Sequence, residues 1–455
     1  MSGSILLGIL GLGIVVFIHE LGHLLGAKAV GIEVEAFSLG WGKKLIGRTW
    51  RGTEYRLSLL PLGGYCKMKG EKMLQGALEK GEETIPKEPG TLFGVSPLRR
   101  ILTYLAGPFG NFFFAILLFA MVWQIGFTTF TYSNRVVLTD DYPLFSSSTP
   151  SPARRGGIET GDRIVEVAGR KVDHFDDLRE ILSVNPEDTL EVVVQRDGAE
   201  FILQVTPEKD PSSGMGKIGV SAWIDPVVEQ VVPGSAAEIG GLQAGDRLVT
   251  ANGTPLRHQL DLMAVMQEQP DKLALTVRRN GDSVNLMVVP HYNDQGNDPL
   301  GLGFSGITLS SPRVNPFQAL ARGAAESVST LILSVKSLLY LPFSGMAVGD
   351  AVSGPIRITY FVGEVASQGF SLGFRQGITS YLRFIGFISI ALFFMNLLPI
   401  PLLDGGMVAA NLFEMVSRKP LKPVLFYRFQ MVGFFLLLML ILFTTYNDIL
   451  FLFQR

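Results

Sequence analysis

The chain has little of what soluble or disulfide-linked proteins depend on. It contains one cysteine, Cys66, in 455 residues, which excludes an intramolecular disulfide and any zinc finger built on cysteines. Charged residues make up only 18%, against about 25% in an ordinary soluble domain. Lys and Arg number 39 and Asp and Glu 41, without a basic block, so the sequence predicts no nucleic-acid partner. Hydrophobic residues reach 47%, which excludes a disordered chain and argues against a purely soluble one.

The hydrophobic residues are concentrated in four long segments. They cover residues 5–30, 101–127, 384–403 and 431–446, the last extending to 453. A helix needs about 20 apolar residues to cross the ~30 Å hydrocarbon core of a bilayer, so the sequence predicts four membrane spans with both termini on one side. The first segment is too long for a signal peptide and has no basic stretch before it.

The basic residues between the spans predict the orientation in the membrane. The 28–100 segment carries 13 Lys and Arg, and four more follow the third span: Arg418, Lys419, Lys422 and Arg428. Because short cytoplasmic loops are rich in Lys and Arg, we expect both loops in the cytoplasm and the 128–380 region outside it. Within that region, 325–341 is apolar but interrupted by Ser, Glu and Lys. We expect an interfacial amphipathic helix there, with a fifth span as the alternative.

An internal repeat lies between the second and third spans. The segment GIETGDRIV at 157–165 recurs at 241–249 as GLQAGDRLV, and the dipeptides Asp197-Gly198 and Asn280-Gly281 match after a one-residue slip. Alternating stretches such as 190–194 predict strands, and the Asp-Gly and Asn-Gly pairs predict hairpin turns. We therefore expect two small β-rich domains in tandem.

The repeated Gly-x-x-x-Gly-Asp-Arg signature resembles that of PDZ domains. Each repeat ends in a segment that resembles a peptide-groove strand, at 218–220 and at 301–304, an order similar to the circularly permuted bacterial type. Three histidines fall in this region and have no partner ligands at metal spacing, so we expect surface or packing roles for them: His174, His258 and His291.

A candidate metal site lies inside the first span. His19 and His23 are four residues apart, so on a helix both imidazoles stand on one face and can reach one metal ion. Glu20 points to the flank, where it can hold a water molecule as an acid and base without binding the metal. Zinc held by three protein ligands keeps a fourth position for water. The alternative is a buried polar cluster that binds helices together.

A third ligand is required, and Asp404 is the candidate. It is the first acid after the third apolar segment, where Pro and Gly residues interrupt the helix. Broken backbone at membrane depth is tolerated only inside protein or beside a water-filled cavity. His19 lies about 20 Å along the first helix, so the histidines and Asp404 are expected at the same, cytoplasmic, side. The alternative is that Asp404 only caps a turn at the surface.

These motifs occur in an order that resembles the site-2 protease family of intramembrane zinc metalloproteases, and within it the bacterial regulator of sigma-E protease type. The motifs are HELGH at 19–23, AGPFGN at 106–111, the tandem repeat and NLLPIPLLDGG at 396–406. The resemblance implies that Zn²⁺ is held by His19, His23 and Asp404, that Glu20 is the catalytic acid and base, and that Asn396 acts beside the scissile carbonyl. Met407 stands where many relatives have His, so a local role for that His is not carried over.

A substrate helix must be extended before its peptide bonds are accessible. The segment that follows the first span is a candidate for binding the extended substrate. Residues 55–60 alternate, 61–64 predict a turn, and 65–69 return, which predicts a β-hairpin. In the family a similar loop is thought to pair with substrate as an added strand. We expect substrate contacts at these positions, with an ordinary cytoplasmic hairpin as the alternative: Leu57, Ser58, Leu59, Leu60 and Gly63. Asn111 is expected to meet substrate or to pack helices.

Together the sequence predicts a multi-domain membrane protein. Its α-helical four-span metalloprotease core carries a β-hairpin loop and two circularly permuted PDZ domains. The predicted segments are the first span 1–36, β-loop region 37–96, second span 97–127, PDZ domains 128–222 and 223–311, amphipathic region 312–380, third span 381–404, and cytoplasmic loop with fourth span 405–455.

The leading functional hypothesis is an intramembrane zinc endopeptidase of the bacterial inner membrane, in contact with membrane lipid. The resemblance implies single-pass membrane substrates, such as an anti-sigma factor in a stress response or remnant signal peptides. It also implies that the substrate's outer part is trimmed first and that periplasmic PDZ domains act as a size filter. Alternatively they grip C-termini. The rival hypotheses are a non-catalytic PDZ-tandem membrane scaffold and, less favoured because no inverted repeat is present, a transporter.

Overall fold

The computed structural model describes residues 2–453 apart from 144, 146–148, 211–213, 293–298, 313 and 341–353. The chain divides into two compact units. One combines 1–127 with 311–455, and the other is 128–310. The helices of the first unit are α1 Ser2–Ala29, α2 Met73–Glu79, α3 Pro97–Ile125, α4 Pro316–Tyr340, α5 Pro355–Ser371, α6 Phe374–Leu397, α7 Asp404–Ser417 and α8 Pro423–Phe453.

Among the described residues, four helices are long and apolar enough to cross a membrane, as predicted. They are α1, α3, α6 and α8. The third differs from the prediction of 384–403, because α6 already begins at Phe374 and ends at Leu397. Two prolines, Pro399 and Pro401, follow directly, and proline lacks the N–H that would continue the helix. Asp404 therefore starts a separate helix, α7.

The helix α4, which contains most of the segment predicted to be interfacial, packs along α3. A β-carbon on Gly323 would lie 2.6 Å from the carbonyl oxygen of Ile116, so the two helices touch backbone to backbone. Ser327 is fully buried in the same contact. The opposite face of α4 is apolar and exposed, with Phe317 at 85%.

The segment between α1 and α2 forms a small sheet from β1, Val34–Trp50, and β2, Thr53–Met68. Residues 44–50 are antiparallel to 53–58 and join them through a turn at Arg51-Gly52. Residues 36–39 pair on one side with 64–67 in opposite order, and on the other side with 54–57 in the same order. The sheet thus has four short segments, in the order 44–50, 53–58, 36–39 and 64–67.

The predicted hairpin of 55–60 with 65–69 is therefore wrong. Residues 36–39 lie between those two segments, and the tight turn is at Arg51-Gly52. The physical reason is that strand pairing depends on neighbours elsewhere in the chain, and the alternation of 55–60 did not reveal that 36–39 would insert beside it.

The second unit contains the two repeats, each with a four-stranded sheet and two short α-helices. In both repeats an Asp-Gly or Asn-Gly turn with positive φ joins two long strands, as predicted for Asp197-Gly198 and Asn280-Gly281. The strands are Thr128–Thr131, Val136–Leu138, Arg163–Val167, Arg170–Lys171, Leu190–Arg196, Ala199–Val205, Glu208–Lys209, Gly216–Lys217, Val220–Ala222, Val228–Val231, Arg247–Ala251, Thr254–Pro255, Leu273–Arg279, Asp282–Val288, Leu302–Phe304 and Ile307–Ser310. The helices are Pro152–Arg155, Phe175–Ser183, Ala236–Ile239 and Gln259–Gln267.

In each repeat a strand near its end pairs with a strand near its start, and the outermost strands, Thr128–Thr131 and Ile307–Ser310, pair with each other. Val220–Ala222 pairs with Val136–Leu138, and Leu302–Phe304 pairs with Val228–Val231. The Asp of each Gly-Asp-Arg motif is buried and receives two hydrogen bonds from an arginine of the long strand: Asp162 from Arg196, and Asp246 from Arg279. The conserved spacing of the repeat therefore reflects a buried ion pair in each copy.

The three histidines of this unit have different surroundings. His258 is fully buried, with its ring 4.6 Å from that of Trp223 and its Nε2 3.1 Å from the hydroxyl oxygen of Tyr142. His174 is half-buried at the start of the Phe175–Ser183 helix, and His291 is exposed. Tyr142 also donates to Asp261, so the first repeat is tied to the second through this cluster. Burial raises the pKa of Asp261, but hydrogen bonds from Arg257 and Tyr142 outweigh it and hold the pKa at about 2.

Candidate metal centre

Three side chains from two distant parts of the chain meet in the first unit. His19 Nε2 lies 3.2 Å from one carboxylate oxygen of Asp404, and His23 Nε2 lies 3.3 Å from the other. The two Nε2 atoms are 3.2 Å apart, and both imidazoles are buried. One ligand atom from each residue lies within 4.8 Å of the others. Two imidazole nitrogens and a carboxylate that converge in this way form a donor set that suits a zinc ion.

The outer nitrogens of both imidazoles face α3. His23 Nδ1 donates a hydrogen bond of 3.0 Å to the carbonyl oxygen of Thr103. His19 Nδ1 lies 3.4 Å from the side-chain amide of Asn111, which is fully buried. Partners of this kind hold a metal-binding histidine in the tautomer that leaves Nε2 free for the metal. The side-chain oxygen of Asn111, Oδ1, has no hydrogen-bond partner among the described residues. Rotation of the side-chain amide by 180° lets Oδ1 accept a hydrogen bond from His19 Nδ1–H.

Glycines bring the helices of the site into close contact. A β-carbon on Gly22 would lie 2.2 Å from the carbonyl oxygen of Ala106, and one on Gly107 would lie 2.3 Å from His23 Nε2. Such distances leave no room for any side chain. The glycines of HELGH and AGPFGN therefore allow α1 to lie against α3, which places the two imidazoles beside Thr103 and Asn111.

Asp404 is positioned by the chain reversal after α6. It is the first residue of α7, and the next two residues are Gly405 and Gly406. Their β-carbons would lie 2.3 Å from the carbonyl oxygen of Leu397 and 2.1 Å from that of Ile400. Only glycine fits at both positions. The LDGG sequence thus folds the start of α7 back against the end of α6 and turns Asp404 towards the histidines.

Glu20 lies close to the small sheet and is not one of the three converging side chains. Its carboxylate is within reach of the backbone N–H of Cys66, and a β-carbon on Gly64 would lie 3.1 Å from Glu20 Cγ. Glu20 is half-buried. The carboxylate therefore lies between the candidate metal centre and the 64–68 edge of β2.

A cavity of about 390 Å³ opens beside the centre. Six of its lining residues are His23, Cys66, Glu71, Tyr104, Asp404 and Met407. Burial, and then the charge of Glu20, raise the pKa of the Cys66 thiol to about 12. Cys66 is not one of the three residues whose ligand atoms converge. Met407 adds an apolar wall one turn after Asp404.

The substrate-binding positions predicted on β2 do not all lie at a free edge of the sheet. Leu57 pairs with Leu39 on one side and with Ile46 on the other, so its backbone is not at an edge. Ser58 is buried, with its hydroxyl 2.9 Å from that of Ser38. An added strand cannot pair at positions that already have two neighbours. The prediction that Leu57 lies at an edge that receives substrate is therefore wrong, while Ser58 has one strand neighbour, Lys44.

The remaining predicted positions are less constrained. Leu59 is 56% exposed, and the side chain of Leu60 lies outside the described residues. A β-carbon on Gly63, whose φ is +112°, would lie 2.4 Å from the indole Nε1 of Trp41, so this glycine packs under the tryptophan. Asn396 is half-buried in the last turn of α6, and its side chain makes no hydrogen bond within the described part of the chain. The contacts of Asn111 favour the positioning of His19 over contact with substrate.

The structure also identifies residues that the sequence analysis missed. The edge of the sheet nearest Glu20 is 64–68, in which Gly64 was predicted as part of a turn and Cys66 and Met68 only as part of the returning strand. Thr103 contributes a backbone carbonyl, which no side-chain pattern reveals. The doublet Gly63-Gly64 was a signal for close packing, but it was interpreted as a turn.

A helix-borne HExxH pair that converges with an aspartate inside a membrane-spanning bundle defines the class of membrane-embedded metalloproteases. The comparison with protein families agrees with this class. Residues 7–440 match the model of Peptidase family M50, and the chain belongs to that family. It is a zinc metalloprotease of the inner membrane.

Individual relatives span almost the whole chain. "Putative zinc metalloprotease" of Treponema pallidum is 36% identical over 99% of this chain and 100% of its own length. "Regulator of sigma-E protease RseP" of Escherichia coli is 30% identical over 97% of both chains, and "Protease RseP" of Yersinia pestis is 30% identical over the same shares. Among solved structures, the PDZ domain of EpsC from Vibrio cholerae matches 25% of this chain and 92% of its own, with 24% identity and a TM-score of 0.11.

Proposed function

We propose that the protein is an intramembrane endopeptidase that cleaves single-pass membrane proteins near the cytoplasmic edge of the bilayer. The observation that carries this proposal is the convergence of His19, His23 and Asp404 between helices that are long and apolar enough to span a membrane. Ionisable groups in that environment are costly and mark function. We assign these three residues as the zinc ligands, and a scaffold without catalysis would need no such set.

The residues around the centre have separate tasks in hydrolysis. A zinc ion held by His19, His23 and Asp404 would supply Lewis-acid chemistry for the scissile carbonyl and would lower the pKa of a water to about 7. Glu20 accepts the proton of the attacking water and passes it to the leaving amine, since its carboxylate lies at the flank of the centre. Thr103 and Asn111 keep the imidazoles oriented. Asn396, in the last turn of α6, is proposed to act beside the scissile carbonyl.

The substrate is proposed to add as a strand along the 64–68 edge. The N–H of Lys69 donates to Glu33, on the side of 36–39, and backbone groups alternate in direction along a strand. The N–H groups of Gly64, Cys66 and Met68 therefore point away from that neighbour. Met68 N–H meets Glu71, and Cys66 N–H faces Glu20. A substrate strand that pairs with Gly64 and Cys66 places its peptide bond beside Glu20.

Substitution of Gly64 by alanine tests this edge. The added β-carbon would lie 2.8 Å from the carbonyl oxygen of Ser38 and 3.1 Å from Glu20 Cγ, so Glu20 must move. We expect Gly64→Ala to lower kcat about tenfold or more, because a displacement of about 1 Å can cost a hundredfold. The matched control is Gly76→Ala in α2, where a β-carbon meets nothing within 4 Å. Equal activity of the two variants would contradict the proposed position of substrate.

The proposed activity itself is tested with purified protein in lipid vesicles. A single-pass substrate whose outer part has been removed should be cleaved within its membrane segment, and a soluble peptide of the same sequence should be cleaved poorly. The same substrate with an intact folded outer domain should resist. Cleavage only outside the membrane segment, or cleavage that does not depend on zinc, would contradict the proposal.

The roles of the second unit and the membrane orientation complete the proposal. The Lys- and Arg-rich segment 28–100 supports a cytoplasmic position for the β-loop and for the zinc ligands. Residues 128–310 would then lie in the periplasm as two PDZ-type domains that act as a size filter for substrates. Substrates of the anti-sigma-factor or remnant-signal-peptide type fit this arrangement. The name of the relative from Escherichia coli supports the first of these.

A further inference from the structure

An ion pair is buried at the start of α3, outside the centre described above. Arg100 Nη2 lies 3.0 Å from Glu414 Oε2, and the two side chains are only 3% and 8% exposed. The pair is covered by apolar neighbours: the guanidinium lies 5.7 Å from the centre of the Phe93 ring, and Ile85 and Leu421 line the small space beside it. Ions are costly to bury, so a pair in this position requires a reason beyond solubility.

The two partners belong to the helices that hold the two halves of the metal centre. Arg100 precedes Thr103 by three residues on α3, and Thr103 accepts the hydrogen bond from His23. Glu414 follows Asp404 by ten residues on α7, which corresponds to about 15 Å along the helix. The helix α7 is thus attached at both ends. Gly405 and Gly406 press its start against α6, and Glu414 fastens its far end to α3.

We propose that Arg100 and Glu414 are positioning residues that set the distance between Asp404 and the two histidines. Without the pair, α7 still packs on α3 but loses the charged contact that fixes its far end, so the helix can shift along α3 and Asp404 moves with it. Both imidazoles are oriented by α3. With the ion pair in place, the same helix also positions Asp404, so α3 positions all three ligands. The inference rests on the assignment of Asp404 as the third zinc ligand.

The test uses the full-length protein and zinc itself as the probe. Arg100→Met and Glu414→Gln each remove one charge. In Arg100→Met the neighbouring Lys87 could pair with Glu414 in place of Arg100, and Glu414→Gln excludes this substitute pair. We expect each to weaken zinc binding about 10- to 100-fold, measured by competition with a chelator on the folded, monodisperse fraction. Arg99→Met is the matched control, because Arg99 is exposed on the same turn of α3 and should keep the parent affinity.

Two further measurements separate positioning from general stability. With Co²⁺ in place of zinc, the visible absorption bands report ligand geometry, and we expect them to change in Arg100→Met and Glu414→Gln but not in Arg99→Met. The double variant Arg100→Met/Glu414→Gln should bind zinc no more weakly than the weaker single variant, because the two residues act as a pair. If one single variant does not fold, the other single variant decides.

Three results would overturn the inference or its basis, and they are distinguishable. Parent zinc affinity and cobalt bands in a folded Arg100→Met or Glu414→Gln would overturn the positioning role. Additive losses in the double variant would overturn the pairing. If Asp404→Asn also kept the parent zinc affinity, the assignment of Asp404 as a ligand would be wrong. If Asp404→Asn lost zinc while Arg100→Met and Glu414→Gln kept it, the ligand assignment would stand and only the positioning role of the ion pair would be rejected.

Discussion

Glu20→Gln is expected to keep stoichiometric zinc and to lower kcat for a membrane substrate by about a thousandfold or more. The carboxylate is not one of the three converging ligands, so the metal should remain. General acid and base catalysis contributes about a hundredfold to ten-thousandfold, and the amide can neither take the proton from water nor return it to the leaving amine. Zinc is measured by elemental analysis and turnover by cleavage of a transmembrane substrate in vesicles.

A matched control for this variant is Glu79→Gln, which removes an exposed carboxylate from α2 with the same change of atoms. It should retain the parent turnover and zinc content. Substantial turnover by Glu20→Gln would contradict the acid and base role. Loss of zinc from Glu20→Gln would show instead that Glu20 contributes to metal binding, in conflict with its position towards Cys66.

Asp404→Asn is expected to lose tight zinc binding, by about two orders of magnitude or more, and to lose activity with it. The substitution keeps the shape of the side chain but removes the negative charge that faces His19 and His23 at 3.2 and 3.3 Å. A neutral amide is a weak zinc ligand, and two imidazoles alone do not complete the three-ligand set of a catalytic site. Chelator competition measures the affinity, and the same substrate assay measures turnover.

Asp404→Glu provides a graded comparison for Asp404→Asn. It keeps the carboxylate but moves it by one methylene, so it should retain more zinc than Asp404→Asn and less activity than the parent. Parent affinity in Asp404→Asn would mean that the third ligand lies elsewhere. The mechanism would then lose the residue that links α7 to the histidines, and the ion pair of Arg100 with Glu414 would lose its proposed role.

Local chemistry was enough to predict part of the site. His19 and His23 share a helix, and the 3.6-residue repeat of a helix places residues four apart on one face whatever surrounds them. Asp404 required a second argument, from depth in the membrane, because 380 residues separate it from His23 and no local rule connects them. The structure brings Asp404 to the histidines through glycines whose β-carbons would collide with backbone.

The sheet shows where such reasoning ends. The alternation in 55–60 predicted a strand, but the sequence of a strand does not specify which segments pair with it. In the structure, 36–39 inserts between 54–57 and 64–67. Leu57 thereby gains neighbours on both sides, and the free edge moves to Gly64, Cys66 and Met68. Arg100 was similarly counted only as one more basic residue in a cytoplasmic loop. Its burial against Glu414 depends on the packing of α7 against α3.

By itself the sequence determined the four spans, the tandem repeat and the histidine pair, because hydropathy, turn dipeptides and helical spacing act over a few residues or one element. Only the tertiary structure showed how Asp404 is brought to the histidines, which edge of the sheet faces Glu20, and which charges are buried. Each of those outcomes depends on close contact between segments far apart in the chain, where the excluded volume of a single β-carbon is enough to select one arrangement.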